Sequence, residues 1–299
     1  MTAASLERLH GTIGLWSFAH ETLAANEAHR APKLAEELGF SSYWMPESAG
    51  RESFTSASLL LAGTSTITLG TSIASIWARD AMAAAAGAKT LNAAHDDRFV
   101  LGLGVSHKPA VEQARGHIYE RPVAAMRSYL EALDSAPMFS PEGSTRPPRL
   151  IAALGPAMLE LAAELADGAL PYLVTPAHTE VARQALGPDR SLVVEQAIAL
   201  TDDEDDFRAR ASAHLRIYTG LPNYQNNWRR LGFSDEDFIP GGSHRLQDAM
   251  VVRGGTDQVA ARVAEHREAG ADVVCLQVLG ADPLSIPEAE WRLLAGEVR

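Results

Sequence analysis

The run Ile67-Thr68-Leu69-Gly70-Thr71-Ser72-Ile73-Ala74-Ser75-Ile76-Trp77-Ala78-Arg79-Asp80 changes character along its length. Its first half alternates and is rich in β-branched residues, as a strand should be; its end carries hydroxyls, an indole and a charged pair ahead of an Ala-rich stretch. It reads as a strand delivering polar groups to one rim of a barrel. The plainer alternative is a buried strand followed by a helix with Asp80 as its cap residue. The first reading gains weight because the device recurs along the chain.

Short β-rich runs occupy residues 12–17, 42–45, 67–76, 99–105, 150–154, 168–174, 192–200 and 273–279. Helical spacing lies between them, as in Leu34 and Leu38 before Gly39, and Ala125, Tyr129 and Leu133 after Pro122. Further helices are expected from Pro156 to about Ala166 and over 257–269. Eight strands alternating with helices, without adjacent hairpins, point to parallel pairing and right-handed crossovers, hence a (β/α)8 barrel, also called a TIM barrel. A doubly wound open sheet competes, but the Gly-x-Gly-x-x-Gly turn after its first strand is missing. Two spans exceed an ordinary connection: 106–121 after the fourth strand and 201–256 after the seventh. Segments of that length on such a fold serve as lids, binding loops or subunit contacts.

The 299 residues fit one large barrel, and no long Gly/Ser or Pro-rich linker divides them, so one domain over 1–299 is expected. Apolar residues make up 46% of the chain and charged ones 21%. A net charge of −12 argues against nucleic acid or an anionic membrane as partner, though a local positive patch would still serve a small anion. Cys275 is the only cysteine, so no intrachain disulfide can form. Residues 1–10 lack the apolar core of a signal peptide, and the Ala-rich run 81–88 is too short to span a bilayer, which points to the cytoplasm.

On a barrel the functional rim lies at the carboxyl ends of the strands. The residues expected there include Trp16, Ser17, His20, Glu47, Ser72, Ser75, Trp77, Ser106, His107, Lys108, Thr175, His178, Glu195 and Gln196, a set rich in aromatics and hydroxyls and poor in carboxylates. No convergent metal-ligand pattern appears, and His10, His29, His95 and His266 fall on expected helices where a solvated role is favoured. Serine-hydrolase and phosphate-loop motifs are missing too. Glu47 is the only acid directly after the second strand. Beside Trp44 or Trp16 in a dry pocket its proton affinity would rise, suiting it to acid or base work; a salt bridge to Arg51 or Arg79 is the alternative. Leu154-Gly155-Pro156 and Thr175-Pro176-Ala177-His178 each join a strand to a helix in a way that suits an anionic cofactor.

Gly102-Leu103-Gly104-Val105-Ser106-His107, Trp77-Ala78-Arg79-Asp80, Ala153-Leu154-Gly155-Pro156 and Ala166-Asp167-Gly168-Ala169 together resemble the bacterial luciferase-like flavin-dependent oxidoreductases, most closely their actinobacterial branch dependent on coenzyme F420. The resemblance runs from Ile13 to Leu279. It implies a barrel, usually dimeric, with the deazaflavin ring at the strand carboxyl ends. It also implies a bulge with a non-prolyl cis peptide behind the ring, matching Ser72, Ile73 and Ala74. By the same alignment Gly104, Val105, Ser106 and His107 lie near the ring and ribityl chain, while Ala153, Leu154, Gly155, Val174, Thr175 and His178 hold the phosphate tail, with Lys108, Arg115, Arg121 and Arg183 as further cations. Where glucose-6-phosphate dehydrogenases of this branch have Asp-His, Pro46-Glu47 stands here, which argues against a sugar phosphate substrate.

The resemblance therefore implies hydride transfer between C5 of F420 and a small, fairly apolar molecule, with Trp16, Trp77, Tyr224 and Trp228 as pocket walls and Glu47 handling a proton. Two alternatives stand beside it: an FMN-dependent monooxygenase supplied with reduced flavin by a partner, and a non-catalytic flavin-binding protein.

Overall fold

Each β-rich run is followed by a helix instead of a tight turn, so the strands can pair only in parallel. The computed structural model describes residues 4–140, 146–283 and 285–297. Its strands are β1 (Ile13–Trp16), β2 (Ser42–Met45), β3 (Thr68–Thr71), β4 (Ala74–Ser75), β5 (Phe99–Gly104), β6 (Arg149–Ile151), β7 (Gly168–Ala169), β8 (Ser191–Ala199), β9 (Val251–Arg253) and β10 (Val273–Val278). Every pairing is parallel, and β1, β2, β3, β5, β6, β7, β8 and β10 close on one another in that order. The result is the expected (β/α)8 barrel. Two strands lie beyond the expected eight. β4 continues β3 past an irregularity, and β9 falls inside the span 201–256 that read as a plain insertion. Ala197 and Ile198 pair with β9 and also with β10, so these two strands flank β8 on opposite sides.

The helices are α1 (Ala4–Glu7), α2 (Arg30–Glu37), α3 (Ser53–Ala62), α4 (Ala81–Ala94), α5 (Pro122–Ser135), α6 (Pro156–Leu165), α7 (Pro176–Leu186), α8 (Glu204–Leu215), α9 (Pro222–Arg230), α10 (His244–Met250), α11 (Thr256–Glu268) and α12 (Glu288–Glu297). Asp80 caps α4, its carboxylate accepting from the Ala83 amide at 2.9 Å, as the plainer reading of the opening stretch required. None of the helices in the described residues is long and apolar enough to cross a membrane. The insertion expected after the fourth strand is a π-helical turn at Ala110–Ala114. The one after the seventh strand carries α8, α9 and α10 around a core of its own, built on Phe207, Leu215, Tyr224, Trp228 and Leu246.

Two indoles dominate the barrel lumen. Trp16 and Trp44 face inward with Val100, Leu150, Leu170, Val193 and Cys275, and Leu6 and Leu9 close the amino end. Burying each ring removes about 200 Å² from water, worth roughly 5 kcal/mol at about 25 cal/mol per Å². The room is made by glycine: a Cβ on Gly70 would sit 2.3 Å from the Trp44 ring, and one on Gly102 would sit 1.8 Å from the Thr71 carbonyl oxygen. A side chain can yield to such a clash more readily than a backbone. Gly102→Ala should therefore cost about 3 kcal/mol or more in urea unfolding, whereas Gly220→Ala, which meets open space, should stay within about 0.5 kcal/mol. Equal midpoints for the two variants would show that the strands can part around Gly102.

Candidate active site at the carboxyl rim

The irregularity between β3 and β4 shapes one wall of the rim. Gly70 pairs with Val100 and Ala74 with Leu103, so four steps along one strand face three along the other. That is a β-bulge, one extra residue in the chain. The Thr71 hydroxyl spans the gap, accepting from the Gly102 amide at 2.9 Å and donating to its carbonyl at 2.7 Å. The Ser72–Ile73 peptide bond is cis. Ser72 is buried and its hydroxyl has no protein partner. Ile73 covers Gly104, where any Cβ would collide with its side chain. The structure thus brings Ser72, Ile73, Ala74 and Gly104 together.

Glu47 lies beside this bulge, but as a braced ion. Its carboxylate accepts from the Ser75 amide at 2.6 Å and from both terminal nitrogens of Arg79, at 3.3 Å for one and in close contact for the other. Arg79 also bridges to Glu52 at 2.7 Å and lies over the Phe54 ring. The isolated acid in an apolar pocket suggested by the sequence is not found; the salt bridge weighed against it is, and it fixes the end of β2 to the start of β4.

An aromatic series lines the opposite wall. Trp16 packs against Tyr172 and edge-on against the partly exposed Phe18, both with centroids 5.0 Å away. Tyr172 continues to Tyr218 and His214, and Tyr218 to Tyr224, which lies 5.7 Å from the His107 ring. Burial lowers the proton affinity of His107 and of His214, the latter to about 4. Trp77 donates to the Val105 carbonyl at 2.9 Å and meets His117 and Tyr119 of the 106–121 segment. Trp228 departs from expectation. It is fully buried in the core of the insertion and donates to the Leu173 carbonyl at 3.2 Å, so it anchors the insertion and lines no open pocket.

Glu195 and Gln196 also differ from their expected place at the rim, since both lie mid-strand in β8. Glu195 points into the lumen and Gln196 outward, where it meets His266 at 3.0 Å. His266 is fully buried and bonded to Thr179 as well, so its expected solvated role does not hold. Glu195 is 1% exposed; one oxygen accepts from the Leu173 amide at 3.0 Å and the other has no partner. Burial raises its pKa to about 8, so the acid is neutral over much of the ordinary range. Leu173 reaches it with φ of +54°, a backbone region that costs a bulky residue about 1–2 kcal/mol. Its amide thereby serves Glu195 while its carbonyl serves Trp228. The Trp16 indole N–H, in the same lumen, lacks a partner too.

The two strand-to-helix junctions stand side by side. Gly155 precedes α6, and Thr175 caps α7 by accepting from the His178 amide. Ala153 and Val174 are buried beneath them. His178 bonds the Leu154 carbonyl at 3.0 Å through Nε2, while its Nδ1 is buried and unpartnered; burial chiefly holds this ring neutral. Of the cations expected nearby, Arg183 is at the other end of the barrel, paired with Asp272 at 2.6 Å and with the carbonyls of Gly187, Arg190 and Gly270. Lys108 is exposed near Glu112. Arg230, which nothing in its local sequence marks, is the arginine the structure brings to Gly155. No cluster of three potential metal ligands occurs among the described residues.

The profile of the luciferase-like monooxygenases matches residues 12–273, and the chain belongs to that enzyme family. A 5,10-methylenetetrahydromethanopterin reductase of Methanolobus tindarius is 30% identical over 301 residues, spanning 86% of this chain and 90% of the relative. Two solved structures share the fold. The coenzyme F420-dependent tetrahydromethanopterin reductase of Methanopyrus kandleri superposes with a TM-score of 0.71 at 19% identity, over 96% of this chain and 98% of its own. The oxygenating constituent of 3,6-diketocamphane monooxygenase from Pseudomonas putida, in complex with FMN, gives 0.72 at 15% identity, over 96% and 97%.

Glu195 makes stability depend on pH. Its unfolded carboxyl titrates near 4.5 and its folded one near 8, so unfolding releases a proton between these values and stability falls as pH rises through that window. Glu195→Gln keeps the shape and the Leu173 bond without the titration. The melting temperature of this variant should gain on the wild type from pH 5 to pH 8 and then hold its lead; curves parallel across that range would disprove the assignment.

Proposed function

We propose that this chain is an oxidoreductase that uses coenzyme F420 to exchange a hydride with a small, uncharged organic substrate. The bulge at Ser72-Ile73-Ala74, with the buried and unpartnered Ser72 hydroxyl, carries the reading. Its flat wall and the aromatic wall opposite suit a planar ring, and the orphaned Ser72 hydroxyl and Trp16 indole N–H are polar atoms that such a ring would satisfy. Relatives named for F420 or for methylenetetrahydromethanopterin reduction support the choice of a deazaflavin. When bound, that cofactor would supply hydride transfer at C5.

In this reading Ser72, Ile73 and Ala74 back the ring, while Gly104, Val105, Ser106 and His107 lie along the ring edge and ribityl chain. Ala153, Leu154, Gly155, Val174, Thr175 and His178 form the seat of the phosphate, where the starts of α6 and α7 favour an anion and His178, its Nε2–H given to the Leu154 carbonyl, would donate through Nδ1 on taking up a proton. Trp16, Trp77 and Tyr224 wall the substrate space. These walls present aromatic faces and phenols, which fits an uncharged substrate. Glu47 acts through its brace on the bulge, and the working unit is a homodimer. A second reading, FMN in place of F420, is favoured by the FMN complex of the Pseudomonas putida relative.

Fluorescence titration separates the two: F420 should bind in the micromolar range and FMN at least tenfold more weakly. The reverse order would establish the flavin reading, and binding of neither would remove both. Glu47→Gln, which breaks a largely buried ion pair, should cost about 3 kcal/mol of stability and weaken cofactor binding while preserving the rate at saturation. If the variant instead binds normally and reacts a hundredfold more slowly, Glu47 carries the proton after all.

A further inference from the structure

Arg229 and Arg230 end α9 side by side, both exposed, and differ in what they meet. Arg229 is committed: it pairs with Asp235 at 2.6 Å, donates to the Asn226 side chain at 3.0 Å and lies 5.0 Å over the Phe238 ring. Arg230 has no hydrogen bond or ion pair among the described residues. Its two terminal nitrogens stand 3.7 and 3.8 Å from the point where a Cβ on Gly155 would lie, so a larger residue there would crowd the guanidinium.

That location is already positive. Gly155 starts the ten-residue α6 and Thr175 the eleven-residue α7, and each helix start carries about half a positive charge. His178 sits between the two, bonded to the carbonyl just before Gly155, and the Arg230 charge acts on it to lower its proton affinity further. The Nδ1 of this 2% exposed ring is unpartnered, and because Nε2–H is given to the Leu154 carbonyl it would meet an anion by taking up a proton. A guanidinium at the start of α6 and within charge range of His178, with no ion pair among the described residues, adds positive charge where an anion would be compensated.

We propose that Arg230 is the counter-ion of the cofactor phosphate, so that the segment between β8 and β9 supplies one side of that seat and is ordered by the bound anion. The assignment rests on the phosphate seat proposed above, but it concerns an element outside the strand-to-helix junctions. It also joins both ends of the molecule's function: Tyr224, a substrate wall, and Arg230 stand on the same helix, which the Trp228 bond to Leu173 seats on the barrel. Phosphate binding would thus hold the substrate wall in place.

The test compares full-length wild type, Arg230→Ala and, as a control for folding, Arg229→Ala. Each is titrated with F420, with FMN, and with the dephosphorylated counterparts of both, a deazaflavin carrying only the ribityl chain and riboflavin. Arg230→Ala should weaken whichever phosphorylated cofactor binds by about ten- to a hundredfold, the scale of one charge-assisted hydrogen bond, and leave its dephosphorylated counterpart within twofold. Arg229→Ala should change neither ratio. Hydrogen exchange over residues 222–230 should slow when wild type binds the phosphorylated form and not when Arg230→Ala does. An equal loss for phosphorylated and dephosphorylated ligands, or no loss, overturns the role of Arg230 while leaving the cofactor reading intact. Wild type that binds no flavin or deazaflavin overturns both.

Discussion

The Thr71 hydroxyl takes both hydrogen-bonding groups of Gly102, and the rim is organised around that substitution of a side chain for backbone. Because the ladder is satisfied across the gap, β3 can gain one residue on β5 without leaving buried amides and carbonyls unpaired. The gain rotates Ser72 and Ile73 out of the regular pleat. It also turns the Ser75 amide toward Glu47, and the Glu47–Arg79 pair then locks the shifted strand to the end of β2. Gly102 permits all of this, since any side chain there would strike the Thr71 carbonyl.

The lumen poses a second constraint with a similar answer. Two indoles, a phenol and a carboxyl share a space that the strand spacing fixes, and glycine at 14, 70 and 102 yields the volume. The carboxyl of Glu195 is tolerated because Leu173 bends its backbone to reach it and because burial keeps the acid neutral. Leu173 in turn holds Trp228, so a single residue in an unfavourable conformation ties the lumen to the insertion core.

The strand plan of the barrel is legible in the sequence. Alternation and helix spacing mark the strands because burial on one or both faces writes itself into local composition, and the hydroxyl-rich end of 67–80 marks a strand reaching the rim, while the bulge there follows from the family resemblance alone. Other features are set by long-range geometry. The sequence leaves both outcomes open for Glu47, since it does not say whether Arg79 folds back onto it. The inward aim of Glu195 depends on strand parity, and its only signal was a lone acid amid Leu192, Val193, Val194 and Ala197. Arg230 depends on where α9 docks, which Trp228 decides. β9 leaves no mark in the sequence because three residues carry too little periodicity to stand out within 201–256. The burial of His266 is hidden from the sequence because a helix face turned toward β8 looks locally like any other polar face.

The packing of the lumen has a consequence for traffic. Leu6 and Leu9 stop the amino end, and the Trp44 and Trp16 rings fill the shaft above them, so the barrel has one door. Two reactants bound at the carboxyl rim would then share that one entrance. On the proposed reading, a cofactor seated on the bulge beneath the substrate would enter first and leave last.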